Sequence, residues 1–442
     1  MSTVATLTTD GLRNPDAAWT SSPSPRRAAP PPAEGRAEGT RVLRPRRAAP
    51  ADALRPTRAE VNLAHLRHNL RVLERALTAG QDVAGKPAKI WGVLKADAYG
   101  HGAPAVARTL ERAGIAGLCV ALLEEAVELR EAGIRAPILV MGGYYGARRD
   151  GISAIVENDL VPVVSDAGQI EQLATFARLE AEAPITVHLK IDTGMGRLGA
   201  SPRDLDAVLE ALRRHPEVRL EGLMTHFACA DADDLETTRE QLRLFEGATR
   251  RAAEAGISPR IRHAANSAAL FRLPEARLDV VRPGLALFGY DAPGLEGAHA
   301  AAGELRPVMR VRSEIVALRE LRPGERIGYG HTFQAERPSL IATVPMGYAD
   351  GLSRLLSNRG SALVRGRRAP VAGTISMDLT MIDVTDVPGA RLGDEIVFLG
   401  TQEGPLGRGS IDANEIAALS GTIAWEVLTH ISRRVPRFYR EP

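Results

Sequence analysis

The feature that most limits how this chain can fold is a rhythm. Eight short apolar runs recur: IWGVLK (90–95), GLCVALL (117–123), PILVMG (137–142), LVPVVS (160–165), ITVHLKID (185–192), LEGLMTH (220–226), RIRHAAN (260–266) and LDVVRPG (278–284). Between most of them lie stretches with apolar residues at helical spacing, such as PAVARTLERAG and ETTREQLRLFEGATRRAAEAG. Strands that alternate with helices argue for a parallel sheet, and eight such units predict a closed (β/α)8 barrel of the TIM type. The barrel is expected over residues 55–292, opened by EVNLAHLRHNLRVLERAL, which reads as a helix.

Beyond it the texture changes. VMRVRSEIVALREL, SLIATVPMGYADG and RAPVAGTISMDLTMIDVTD alternate and are broken by Gly and Pro, which predicts a mainly antiparallel β domain over 293–442. Its last helix opens at the cap-like Asp412. Residues 1–54, rich in Ala, Pro, Arg and Ser, have little to bury and are expected to be a disordered extension. That segment is locally basic but nearly without aromatics to stack on bases, so it reads as a solvated tail.

Bulk properties narrow the function. A net charge of +2 gives no reason to expect nucleic acid or a membrane surface as partner. No apolar run approaches the ~20 residues needed to span a bilayer, and the N-terminus lacks the pattern of a signal peptide. The only cysteines, Cys119 and Cys229, sit in apolar or small-residue surroundings, which fits a reducing cytoplasm better than a disulfide framework. No bound metal is expected.

The chemistry should lie at the C-terminal ends of the barrel strands, the rim where such barrels work. Those ends carry Lys95, Lys190 with Asp192, His226, Asn266 with Ser267, and Arg282 before Pro283 and Gly284. Lysine is itself scarce: of 56 basic residues only Lys86, Lys89, Lys95 and Lys190 are lysines. Arginine stays protonated, whereas lysine can lose its proton and act as nucleophile or base. Lys86 and Lys89 lie in a polar, proline-containing stretch and read as solvated charges; Lys95 and Lys190 end strand-like runs. A rim lysine beside donors suited to phosphate is what an aldehyde cofactor uses. Pyridoxal 5'-phosphate needs an amine, a dianion cradle and a partner for its ring nitrogen.

At this point the chain resembles the alanine racemase family. VLKADAYGHG, VHLKIDTGMGRLG, MTHFACAD, HAANSAA, VRPGLALFGY, IGYGHTF, PMGYADG and ISMD recur in the family's order across nearly all of residues 59–440. The resemblance implies an isomerase of two domains that uses pyridoxal 5'-phosphate, interconverts L- and D-alanine by two bases, and supplies D-alanine for peptidoglycan. It implies a homodimer whose active sites are shared between subunits. Lys95 matches the lysine that joins the cofactor and moves a proton on one face; Tyr329 matches the base on the other face, supplied by the second subunit. Tyr99, Ser267, Gly284 and Leu285 match the phosphate site, and Arg282 the partner of the ring nitrogen. His226 matches a link in the chain from Arg282 to the second base, and Asn266 sits with the cofactor group. Arg197 matches the contact to the cofactor's phenolic oxygen and the substrate carboxylate, Met377 a main-chain contact to that carboxylate. Lys190 matches a lysine that some members carry as a carbamate.

One departure concerns the C-terminus. Where the family often has a tyrosine before RVP, this chain has Arg433, so a phosphate contact at that position stays open. His101 reads as a structural loop histidine, and Asp350 as a turn former. His263 and Asn266 are open between site roles and simple satisfaction of strand-end backbone. Two alternatives also stand beside alanine racemisation: a broad-specificity amino acid racemase and a non-catalytic pyridoxal phosphate-binding barrel.

Overall fold

A computed structural model describes residues 54–78, 87–144, 149–291 and 300–441. All of the basic N-terminal extension except Leu54 lies outside the described residues.

The eight apolar runs each yield a strand. They are β2 (Lys89–Val93), β3 (Gly117–Val120), β4 (Ile138–Val140), β5 (Val161–Val164), β6 (Ile185–Lys190), β7 (Val218–Met224), β8 (Ile261–His263) and β9 (Val280–Val281). They form one parallel sheet in the order β8-β7-β6-β5-β4-β3-β2-β9. The two ends of that list meet: the Asp279 amide donates to the Arg262 carbonyl at 3.1 Å, and the Arg282 amide to that of Ala265 at 2.9 Å. The sheet is therefore a barrel closed through short backbone contacts rather than a full eighth ladder. β8 and β9 are both shorter than the sequence suggests, and at the end of β9 Pro283 lacks the N–H that would carry its ladder onward.

The helices α1 (Leu63–Thr78), α2 (Ala103–Arg112), α3 (Leu123–Glu131), α4 (Arg149–Glu157), α5 (Ala167–Glu180), α6 (Leu205–Arg214), α7 (Glu236–Glu254) and α8 (Ser267–Arg272) follow in turn. α1 shows why they pack as they do. Leu66, Leu70, Leu73 and Leu77 recur on one face and are buried, each worth about 1.5–3 kcal/mol of burial.

The opening of α1 differs from expectation. Arg58–Asn62, which the sequence reading placed in the barrel unit with Glu60–Asn62 opening a helix, is a strand, β1. Asn62 ends it and caps α1, its side-chain oxygen accepting from the amides of Ala64 and His65 at 3.0 and 3.1 Å. β1 joins the second domain, whose main strands are β10 (Met309–Glu314), β11 (Ala317–Leu321), β12 (Arg326–Ile327), β13 (Phe333–Gln334), β14 (Ser339–Val344), β15 (Ser361–Val364), β16 (Arg367–Pro370), β17 (Thr380–Asp383), β18 (Glu395–Gly404), β19 (Gly407–Ile411) and β20 (Arg437–Arg440). The larger sheet runs β16-β15-β18-β10-β1-β20, with β19 on β18; β11-β14-β17 and β12-β13 form smaller ones. All of these pairs are antiparallel except β1 with β20. Two helices, α9 (Ala413–Ser420) and α10 (Ala424–His430), precede β20. Among the described residues no helix is long and apolar enough to cross a membrane.

A charge cluster fastens β1 in this sheet. Glu60 is buried, and its carboxylate meets Arg58 at 3.0 Å, Arg310 at 3.1 Å, Arg312 at 2.8 Å and Arg440 at 2.8 Å. Removing one partner of a buried ionic group leaves the others desolvated and uncompensated. Replacing Glu60 with Ala should lower the stability of the β domain by on the order of 3 kcal/mol, measured as an earlier urea midpoint; an unchanged midpoint would contradict a fastening role.

Candidate active site

The chain leaves β2 at Val93 and turns at once in an unusual sense. Ala96, Asp97, Ala98 and Tyr99 have φ of 53, 54, 54 and 53°, a left-handed turn made without glycine. The carboxylate of Glu125 on α3 accepts from the Ala96 amide at 2.6 Å, and that of Asp97 from the Ala103 amide at 2.7 Å. Lys95 stands at the start of this turn and Tyr99 at its end.

Lys95 opens to the barrel mouth, yet the surrounding protein keeps enough water away to lower its pKa below the usual lysine range. Arg197 nearby pushes in the same direction and Glu125 opposes it. Lys190, at the end of β6, is buried and is brought down to about 8 by burial first, then by Arg197 and Arg282. His226 is drawn down to about 3, by burial and then by Arg282, Lys190, Arg197 and Lys95. Those mutual effects place Lys95, Lys190, Arg197, His226 and Arg282 in one electrostatic neighbourhood. The carboxylates beside it are occupied: Glu125 by backbone amides, Asp192 by those of Gly194 and Gly196 at 3.0 and 3.1 Å. The mouth therefore holds an excess of positive charge suited to anions.

Arg282 follows β9 and is buried. One of its terminal nitrogens donates to the Thr225 carbonyl at 2.6 Å and the Ala264 carbonyl at 3.0 Å, with His226 Nδ1 at 3.5 Å. The other donates to His263 Nδ1 at 2.8 Å. Burial lowers Arg282 to about 10, still protonated near neutral pH.

A guanidinium only donates, so His263 Nδ1 must accept and its proton sits on Nε2. That nitrogen lies 2.8 Å from His188 Nδ1, which therefore accepts in turn. His188 carries its own proton on Nε2, 3.8 Å from the Glu221 carboxylate. Both rings are fully buried, and Trp91 stacks on His188 at 5.4 Å. Sequence reading missed most of this row. The signal was present: a histidine inside the otherwise apolar ITVHLK has to find a polar partner.

On the other side of the mouth, Ser267 Oγ accepts from the amides of Gly284 and Ala286 at 3.0 and 3.3 Å, which leaves its O–H free to donate outward. Asn266 caps α8 through the Ala269 amide at 3.0 Å. Its side chain thus works on backbone. The Tyr99 hydroxyl lies over Gly284, where an added Cβ would sit 2.3 Å from it. That hydroxyl and the Leu285 amide have no protein partner among the described residues. Donors without acceptors around a gap that only glycine leaves open fit a phosphate group.

Tyr329 and Met377 stand apart from this cluster. Tyr329 lies in a short 3-10 turn and is 73% exposed; Met377 is 51% exposed. Neither has a hydrogen bond or ion pair to the barrel residues, Tyr329 being held through its carbonyl by Thr374 at 3.0 Å. Arg433 has no recorded contact with the phosphate-fitting residues. His101 is fully buried behind the turn. Asp350 exceeds a turn former: its buried carboxylate takes a two-point pair from Arg55 at 2.7 and 2.9 Å.

Fold and rim together define a barrel enzyme whose mouth is built around a primary amine and an anion cradle, with a β domain attached. Two family models match, the alanine racemase N-terminal domain over residues 61–292 and its C-terminal domain over 308–439. The chain belongs to the alanine racemase family. It is 72% identical to the alanine racemase of Sorangium cellulosum across 88% of this chain and all of that protein. It is 43% identical to alanine racemase 2 of Caldanaerobacter subterraneus across 88% of this chain and 96% of that one. The alanine racemase structure from a D-cycloserine-producing Streptomyces lavendulae superposes with a TM-score of 0.79 at 35% identity, covering 88% of this chain and 98% of that one. That from Bacillus anthracis with bound L-Ala-P gives 0.78 at 32%, covering 88% and 95%.

The histidine row makes a spectroscopic prediction. Burial lowers both rings, and the Arg282 charge lowers His263 further. Nitrogen NMR should find both as neutral Nε2–H tautomers from about pH 6.5, their ordinary pKa, upward. A ring that titrates above that pH, or a Nδ1–H signal from His263, would contradict the row.

Proposed function

We propose that the site interconverts L- and D-alanine with pyridoxal 5'-phosphate bound through Lys95. The observation that carries the reading is a lysine of lowered pKa in a cationic mouth, one turn from an unpartnered phenol over a glycine gap. When bound, the cofactor supplies an electron sink for the substrate α-carbon.

The protein's own residues supply the rest. Tyr99, Ser267 and the Leu285 amide hold the phosphate, with Gly284 leaving the gap for it while its own amide positions Ser267 Oγ. Arg282, whose Nε–H has no acceptor among the described residues, would offer that donor to the ring nitrogen without giving up its proton. Such a partner limits electron withdrawal by the ring and favours prompt return of the proton. Arg197, which pairs with no carboxylate among the described residues, and the Met377 amide bind the substrate carboxylate. Lys95 removes or returns the α-proton on one face and Tyr329 on the other, general acid–base steps of the kind worth about 10²–10⁴ in rate.

Tyr329 reaches a Lys95 cluster from a second copy of the chain. Support comes from the surface around it: Tyr329, Met377, Tyr348 and Leu379 are exposed apolar side chains of the β domain. A coupled assay should find D-alanine formed from L-alanine only with cofactor present. Lys95→Ala and Tyr329→Phe should each be nearly inactive alone. Co-refolded together they should regain activity, because one mixed site would then hold both intact residues. No recovery on mixing would place Tyr329 in the same subunit as its Lys95.

Lys190 is proposed to carry carbon dioxide as a carbamate, converting a buried cation into an anion that holds Arg197. Only the neutral amine reacts, so uptake of labelled bicarbonate should rise as pH passes about 8 and vanish in Lys190→Ala. Uptake that ignores pH, or survives that substitution, would remove Lys190 from this role.

A further inference from the structure

The left-handed turn after Lys95 is costly and needs an explanation. Non-glycine residues lose about 1–2 kcal/mol each in that conformation, and it persists only where surrounding structure over-determines it. On the barrel side Glu125 holds the Ala96 amide, and the Asp97 carboxylate reaches forward to the Ala103 amide at the start of the next helix. The β domain holds its end: Arg437 Nε donates to the Gly100 carbonyl at 2.9 Å, and the Leu428 carbonyl lies 2.4 Å from where a Cβ on Gly100 would sit.

The carbonyls inside the turn are served by one side chain. His101 Nδ1 lies 2.9 Å from both the Ala98 and Tyr99 carbonyls. Carbonyls accept, so Nδ1 carries the proton and shares it between them. The ring is fully buried. Burial brings its pKa down to about 4, so it remains a neutral donor across the range in which the protein works. Its flat face stacks on Phe288 at 4.4 Å, and Phe288 in turn meets the Tyr99 ring at 5.0 Å. Phe288 belongs to the 3-10 turn that begins just after Gly284. The same imidazole thus grips the backbone of the turn and backs the ring against which Tyr99 leans.

We infer that His101 is a positioning residue: it fixes the Tyr99 phenol over Gly284 and so sets the affinity of the site for a phosphate-bearing ligand. This rests on the cofactor reading above, because the phenol's partner is taken to be the cofactor's phosphate. His101 touches no ligand itself. Removing its donor strips the Tyr99 carbonyl of its partner, leaves that of Ala98 with the His101 amide, and lets the Tyr99 ring turn away from the cradle.

The test uses the cofactor-free protein and two probes, pyridoxal 5'-phosphate and pyridoxal, titrated by calorimetry. The wild type should prefer the phosphate form strongly. Tyr99→Phe should reduce that preference about tenfold, the scale of one hydrogen bond. His101→Leu should reduce it similarly while leaving pyridoxal binding near the wild-type value. The double variant should fall no further than Tyr99→Phe alone, and His101→Asn, which keeps an N–H donor, should recover part of the loss. Amide exchange at Gly100 should quicken in His101→Leu. Should that variant fail to fold, Phe288→Leu removes the stack and must show the same selective loss.

A wild-type phosphate preference in both His101→Leu and Phe288→Leu overturns the inference, as do fully additive losses or equal losses for both probes. A wild type that binds pyridoxal as well as the phosphate form overturns the cradle reading itself, and the positioning role with it.

Discussion

Everything at the barrel mouth depends on holding four cations near one another with only two carboxylates among the described residues, Glu125 and Asp192, close enough to oppose them. Lys95, Lys190, Arg197 and Arg282 each influence one another or His226 between them. Two like charges about 4 Å apart repel by roughly 4 kcal/mol at an effective dielectric near 20. The protein meets this in two ways. It lowers the lysines until their protons are easily lost, and it buries Arg282 among neutral acceptors. A cationic mouth of this kind is stable only as a compromise, and anions complete it. A phosphate dianion and a carboxylate are the complement in charge, which ties the substrate class to an imbalance built into the strands.

The neutral acceptors are as telling as the cations. Arg282 is surrounded by carbonyls of Thr225 and Ala264 and by an imidazole nitrogen, never by a carboxylate. A carboxylate there would cancel the charge and leave the group with nothing to offer a ligand. His263 and His188 instead pass the polarisation inward, away from the mouth, until it reaches Glu221 near the other end of the barrel. The acid lies far enough along the row to orient the imidazoles without neutralising the guanidinium.

How much of this was legible from residues alone follows from what kind of signal each part leaves. The eight strands were visible because parallel strands buried on both faces read as continuous apolar runs. Strand ends gave the rim residues for the same reason, since polarity begins where burial stops. Glu60–Asn62 was read into the helix because it runs without Gly or Pro into the spacing that α1 continues; only Asn62, as a cap, marks the break. The left-handed turn left no trace at all, for KADAY contains no glycine and looks like any helix start. His188 was legible as a histidine and illegible as a partner, because contacts between distant strands are set by the closed barrel; the local partners of His101 were hidden with the turn that presents them.

The β domain has two relations to barrel chemistry, and they act in different directions. In its own chain it braces the site from behind: β1 runs from the sheet directly into α1, Arg437 ties down Gly100, and the Leu428 carbonyl presses on the same residue. It also leaves Tyr329 and Met377 exposed to solvent, without a hydrogen bond to the lysine they are proposed to serve. A domain that needs to present a base to another copy must be rigid with respect to its own barrel, or the two sites of a pair could not be set by one geometry. The strained turn supplies that coupling. Because its conformation is held partly by contacts from the β domain, displacement of that domain would relax Tyr99 as well, so under the proposed function cofactor grip and placement of the second base would be set by the same contacts.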